Sequence, residues 1–222
     1  MSKVLIIGGS RGIGLEWVRQ CCAAGDTVTA TARSDDGLAR IQALGAHALR
    51  LDVADAASAA GLAWFIDGEV FDVVVLGAGV YGPRSAGLLA PTQDEFDAVM
   101  HTNVLGAMRV LPQLVDALAP GARLAVLSSR MGSLGLRAAS SGWLYRASKA
   151  ALNSVLKDAS LELAGKAICV AFHPGWVRTD MGGAGADIDV ATSVADMRRT
   201  LAGLQPQDNG AYLNHDGLPL AW

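Results

Sequence analysis

The sequence predicts an α/β protein: a doubly wound parallel sheet of about seven strands with helices on both faces. Three observations predict it. Short apolar runs alternate with longer helix-like segments along the whole of the 222 residues. Several of those runs are almost continuously apolar rather than alternating, as strands covered on both faces are. A glycine-rich turn joins the first run directly to the first helical segment.

The strand candidates, in order, are KVLII (3–7), TVTATA (27–32), AHALRL (46–51), FDVVVL (71–76), ARLAVLS (122–128) and AICVAF (167–172), with a weaker one in AYLN (211–214). Helical segments fill the gaps at about 12–24, 36–44, 55–66, 93–118, 143–164 and 190–203. No Pro- or Ser-rich linker divides the chain and no repeat period is present, so residues 1–222 are read as a single domain. Ligands of such a fold bind at the carboxyl ends of the strands, and the chemistry is expected just after each one.

Composition narrows the function. Residues are 51% hydrophobic and 18% charged, with a net charge of −3 and no basic run. That balance offers nothing to nucleic acid or to an anionic membrane. Three cysteines, Cys21, Cys22 and Cys169, make no disulfide framework, and they read as buried thiols in a reducing compartment. The run VLIIGG breaks at glycines too early for a signal peptide, and no segment reaches the length of a membrane span. The expectation is a cytoplasmic, soluble protein. His47, His101, His173 and His215 share no ligand spacing, so no metal site is expected.

The turn after the first strand is GGSRGIG, residues 8–14. Gly8, Gly12 and Gly14 permit a tight turn and close backbone approach, and the helix that follows offers its free N–H groups to a pyrophosphate. A glycine pattern alone is weak, but strand before and helix after is the context a dinucleotide loop requires. Ser10, Arg11 and Ile13 lie within it. The second strand ends at Arg33, where such a fold meets the adenosine ribose; an arginine there suits a 2′-phosphate, and Arg11 is a second candidate partner. NADP(H) is therefore expected, with NAD(H) as the alternative. Asp35 and Asp36 are the acids an NAD site would use, but they read as the polar start of the next helix.

The segment LYRASKAALN, 144–153, places Tyr145 four residues before Lys149. Leu152, Val155, Leu156, Ala159 and Leu163 form the inward stripe of this helix, and Tyr145 and Lys149 lie on or beside it. A lysine turned inward beside a phenol, in a first helical turn, is expected to lower the tyrosine pKa and ready it for proton exchange.

Taken together and in order, these motifs resemble the short-chain dehydrogenase/reductase family over essentially the whole chain. The resemblance rests on GGSRGIG (8–14), LDV (51–53), NVLG (103–106), SSRMG (128–132), YRASK (145–149) and HPGWVRTDM (173–181). GVYGPRS (79–85), SSRMGS (128–133), YRASKAALN (145–153) and HPGWVRTDMGG (173–183) are similar to the C-factor-like and sniffer-type carbonyl reductases within it. It implies a Rossmann-type fold and a carbonyl reductase. It also implies Tyr145 as general acid or base, Lys149 on the nicotinamide ribose, Ser129 on the substrate oxygen and Asn103 supporting a water toward Lys149. The cofactor contacts it implies are Gly8, Ser10, Arg11, Gly12, Ile13, Gly14, Arg33, Asp52, Val53, Gly77, Ala78, Gly79, Tyr145, Lys149, Pro174, Gly175, Val177 and Thr179.

Two departures carry expectations. The family's Asn-Asn-Ala-Gly reads LGAG at 76–79, so Leu76 and Gly77 make no amide side-chain bonds and the loop is expected to be less firmly braced. The gap from Ser129 to Tyr145 is longer than usual; Gly132 occupies the usual place, and Ser128, Ser133, Ser140 and Ser141 remain alternatives. Trp143 and Trp176 are candidates for the cleft wall or for packing, and Trp222 for packing. The glycine-rich segment near 180–192 is expected to form a short lid over a small carbonyl substrate. The resemblance further implies a homodimer or homotetramer paired through helices 93–118 and 143–164. The alternative function is a dinucleotide-binding redox-sensing or signalling protein with little turnover.

Overall fold

The computed structural model describes residues 1–85 and 87–222. Seven strands form one parallel sheet: β1 (Lys3–Ile7), β2 (Thr27–Ala32), β3 (His47–Arg50), β4 (Phe71–Leu76), β5 (Leu118–Leu127), β6 (Ala167–His173) and β7 (Ala211–Asn214). Their order is β3-β2-β1-β4-β5-β6-β7. The winding reverses between β1 and β4, and a crevice opens there at the strands' carboxyl ends. The predicted strand class, parallel arrangement and order of elements all hold.

The near-continuous apolar runs have the predicted cause. Leu5 and Ile7 of β1 face one core with Val74 and Leu124, while Val4 and Ile6 face another with Val75 and Ala125. The first core is closed by α6 (Gly106–Leu114) and α7 (Trp143–Glu162), through Val110, Leu114, Leu152 and Leu156. The second is closed by α1 (Gly12–Ala23), α2 (Asp35–Ala43) and α8 (Val190–Gly203), through Trp17, Val18, Ile41 and Met197. Each fully buried Leu, Ile or Val side chain contributes about 1.5–3 kcal/mol.

Two predicted helices differ in detail. Segment 55–66 is two short helices, α3 (Ala56–Ala60) and α4 (Leu62–Phe65), parted at Gly61. Segment 93–118 is not one helix: α5 (Gln93–Met100) passes into a π-helical turn, His101–Leu105, before α6. After a 3₁₀ turn at Val115–Ala117, Leu118 already pairs with Phe71, so β5 begins earlier than 122 and crosses a bulge before Val73 meets Arg123. His173, read as a loop residue, is instead the last residue of β6.

Cys21 and Cys169 are buried and Cys22 half-buried, all free, and burial raises the Cys21 and Cys169 thiols to about 11 and about 12. No helix among the described residues is long and apolar enough to cross a membrane.

Candidate active site

A cleft of about 460 Å³ opens over the carboxyl ends of the central strands. The glycine turn forms one wall, with Gly8, Ser10, Arg11, Gly12, Ile13 and Gly14 all lining it. Gly8 (φ 90°) and Gly12 (φ 49°) take conformations that favour glycine. At Gly14 a Cβ would lie 2.0 Å from the Gly8 oxygen, so turn and helix meet as closely as backbones can. No side chain caps the start of α1 and no acid stands in its first turn, which leaves first-turn N–H groups available to an anion. These residues fit a dinucleotide pyrophosphate.

Thr31, buried in β2, ties the turn down: its Oγ1 accepts from Gly8 N at 2.9 Å and its carbonyl from Gly9 N at 2.8 Å. Sequence reasoning missed it, because a threonine inside a β-branched run reads as strand.

Beyond the glycine turn, at the end of β2, Arg33 lines the cleft and is exposed. Arg50 bonds the Arg33 carbonyl at 3.0 Å and pairs with Asp35. Asp35 and Asp36 occupy the first turn of α2, as expected of helix-starting acids. Asp52 and Val53 line the cleft from the turn after β3, where Asp52 accepts from Ala54 N at 3.0 Å. Arg109 holds this turn through the Ala54 carbonyl at 2.7 Å.

The loop after β4 is braced, contrary to the expectation from its LGAG wording. Gly77 N donates to the Ile7 carbonyl at 2.8 Å. Asn103 accepts from Val80 N and donates to Val80 O, both at 2.8 Å, and donates to Ser148 Oγ at 3.0 Å. An asparagine from the π-helical turn thus does the work the missing loop amides would do. Gly77, Ala78 and Gly79 line the cleft, whereas Asn103 lies beneath it, fully buried.

At the inner end stand Tyr145 and Lys149, on the inward face of α7, 8% and 4% exposed. Lys149 Nζ donates to the Leu127 carbonyl at 2.7 Å and lies 5.7 Å from the Tyr145 ring centroid. Burial lowers the Lys149 ammonium to about 8. The expected lowering of the Tyr145 pKa is not found: burial raises it, with the Ser129 hydroxyl opposing. The expectation rested on the spacing of Lys149, whose ammonium instead bonds the Leu127 carbonyl, while desolvation of the phenol dominates.

Ser129 is the serine beside Tyr145, just outside the cleft wall, and its Oγ accepts from Met131 N at 3.2 Å. Of the alternatives, Ser128 lines the cleft but bonds Asn153, Ser133 is spent on the Ala221 and Trp222 carbonyls, and Ser140 and Ser141 are exposed. Gly132 serves packing: a Cβ there would lie 2.8 Å from the Lys149 carbonyl carbon.

Pro174 and Thr179 line the far wall, with Asp180 and Met181. Gly175 and Val177 do not line it. Gly175 turns at φ 88°, and buried Val177 forms a β-bridge with Ile188. Neither Trp143 nor Trp176 lines the cleft; their indoles bond the Leu89 and Gly182 carbonyls. Trp222 packs on Tyr212, centroids 5.1 Å apart. Tyr81 and Arg84 are among the wall residues that carried no predicted role. Tyr81 stacks on Tyr145, and Arg84 reaches across the cleft mouth to the Met181 carbonyl at 2.8 Å. Among the described residues no three His, Cys, Asp or Glu side chains gather as metal ligands.

Comparison with known proteins agrees with this geometry. A family model described as short chain dehydrogenase matches residues 2–187. The C-signal protein of Myxococcus xanthus is 36% identical over 154 residues, covering 68% of this chain and 92% of its own. The carbonyl reductase Sniffer of D. melanogaster superposes with a TM-score of 0.88 at 31% identity, over the full length of both chains. A carbonyl reductase from Pseudomonas aeruginosa PAO1 in complex with NADP superposes at 0.87 and 30% identity, again over both full lengths. The chain belongs to the short-chain dehydrogenase/reductase family and is an oxidoreductase of that family.

Proposed function

We propose that the protein is an NADP(H)-dependent reductase of small carbonyl compounds that also oxidises the corresponding alcohols. The observation that carries this is the buried Tyr145–Lys149 pair at the inner end of a cleft whose outer end presents the glycine turn and Arg33. The likeness to a carbonyl reductase in complex with NADP supports it.

The N-terminal turn of α1 binds the pyrophosphate, Asp52 and Val53 flank the adenine, and exposed Arg33, with Arg11, takes the 2′-phosphate. A nicotinamide dinucleotide, when bound, supplies the hydride. Pro174 and Thr179 wall the nicotinamide end, shaped by Gly175 and Val177. Lys149 holds the ribose there, and Asn103 fixes the loop opposite it. The substrate oxygen is received by Ser129 and Tyr145. A phenol kept protonated by burial is the form that gives a proton to a carbonyl oxygen as negative charge develops on it. Copies of the chain pair through α5–α6 and α7, where Phe96, Met108 and Leu161 are exposed.

The test follows NADPH and NADH oxidation against aldehydes, ketones and quinones. Tyr145→Phe should lose turnover by about a hundredfold or more while still binding NADPH. Arg33→Ala should lower kcat/KM for NADPH about tenfold relative to NADH. Equal turnover by wild type and Tyr145→Phe would sink the assignment, and NADPH binding without turnover on any carbonyl would favour a sensor.

A further inference from the structure

The tip of β5 is pinned one residue at a time. Lys149 Nζ donates to the Leu127 carbonyl, the Ser128 hydroxyl to Asn153 Oδ1, and the Tyr212 hydroxyl to the Ser129 carbonyl. Lys149 and Asn153 stand one turn apart on the Tyr145 face of α7. The third pin arrives from a different element, β7, and from a residue 2% exposed that does not line the cleft.

That third pin is itself held. The Trp222 ring lies 5.1 Å from the Tyr212 ring, tilted by 30°. Leu220 N bonds the Tyr212 carbonyl at 2.8 Å. The Trp222 carbonyl accepts from Leu134 N, Gly135 N and the Ser133 hydroxyl, each at 3.0 Å. Residues 220–222 therefore clasp Tyr212 on one side and the segment just past Ser129 on the other.

We propose that Tyr212, braced by Trp222, is a positioning residue that sets the direction of the Ser129 hydroxyl. The inference rests on the reading of Ser129 given under Proposed function. Ser129 is extended (φ −162°, ψ 144°), and its carbonyl accepts from both Gly132 N, at 2.7 Å, and the Tyr212 hydroxyl. With that oxygen held from two sides, the peptide after Ser129 cannot rotate. The Cα–Cβ bond of Ser129 then keeps one bearing, and the Met131 N–H, bonded to Oγ at 3.2 Å, selects the rotamer, so the hydroxyl stays directed toward the oxygen that Tyr145 protonates. Small misplacements of a positioned group have large effects on rate, whereas substrate and cofactor binding elsewhere in the cleft is untouched.

A double-mutant cycle tests this on the full chain, with NADPH and any carbonyl the wild type reduces. Tyr212→Phe should lower kcat about tenfold, with NADPH affinity, read by fluorescence, unchanged. In a Ser129→Ala background the same change should have no further effect on kcat. Trp222→Leu should show the same pattern at smaller size, and it carries the test if Tyr212→Phe does not fold. Equal losses in both backgrounds, or a full kcat for Tyr212→Phe, would overturn the inference and leave the reading of Ser129 intact. A full kcat for Ser129→Ala would overturn both.

Discussion

The ring of Tyr81 stacks on that of Tyr145, centroids 4.6 Å apart and 23° between planes. The Arg84 guanidinium lies over the Tyr81 ring, 5.2 Å from its centroid, and Lys149 stands 5.7 Å from the Tyr145 centroid. The candidate acid thus has a stacked ring and two cations close by, with its orientation set from the loop after β4 as well as from its own helix. An aromatic pair of this kind contributes about 0.5–1.5 kcal/mol beyond burial. Tyr81→Leu should lower unfolding free energy by about 1 kcal/mol and kcat several-fold, whereas Tyr81→Phe should keep both. Urea unfolding and steady-state kinetics on the three proteins check this; a full kcat for Tyr81→Leu would show that Tyr145 needs no lateral support.

Lys149 should leave a mark on stability against pH. Burial takes its ammonium from 10.5 to about 8, while the unfolded chain keeps its proton up to the higher value. Below about 8 both states are protonated and the folded state carries the whole desolvation penalty, about 3 kcal/mol. As pH rises from about 8 toward 10, the unfolded chain binds more protons, and stability rises. In the absence of cofactor, Lys149→Met should abolish that rise. Unfolding free energies measured across this window should converge on a constant difference only if the ammonium is solvated, which would count against its burial.

The pH dependence of reduction should follow Lys149 before Tyr145. Burial moves the two in opposite directions, the ammonium down toward neutrality and the phenol up. The profile of kcat/KM, which reports the free enzyme, should fall along an alkaline limb with an apparent pKa near 8. Alcohol oxidation needs the phenol deprotonated and should instead gain with pH. A reduction profile flat through pH 8 and beyond would return that limb to another group.

Gly14 should be irreplaceable. The Cβ of Gly14→Ala would lie 2.0 Å from the Gly8 oxygen, a backbone atom that cannot step aside. Overpacking of this kind costs about 1–3 kcal/mol, and here it also displaces the turn proposed to meet the cofactor. Thermal unfolding should shift down and NADPH affinity should fall together. Gly203→Ala, at the end of α8 with open space around its Cβ, is the control and should change neither.

Much of this was legible in the sequence, for identifiable reasons. Strands buried on both faces leave continuous apolar runs, so β1, β4 and β6 announce themselves. The inward stripe of α7 places Tyr145 and Lys149 before any coordinate does. The π-helical turn at His101–Leu105 leaves no trace in composition, since one extra residue per turn does not change which residues are apolar. Tyr81 and Arg84 lie in a loop without periodicity, so nothing marks them as wall. The direction of the Tyr145 shift was missed because spacing reports neighbours but not the water they exclude.

The tight seat of Gly132 against α7 divides the stretch between Ser129 and Tyr145 into two regimes. From Gly132 to Gly135 each residue is committed, to the helix or to the clasp at Trp222. From Arg137 to Ser141 each residue is exposed, until Gly142, at φ 66°, returns the chain to α7. The surplus length of this span is thereby spent outside the reacting geometry. None of Arg137–Ser141 lines the cleft, so this short exposed span is where the chain should best tolerate insertion, deletion or grafted sequence while the cleft wall keeps its shape.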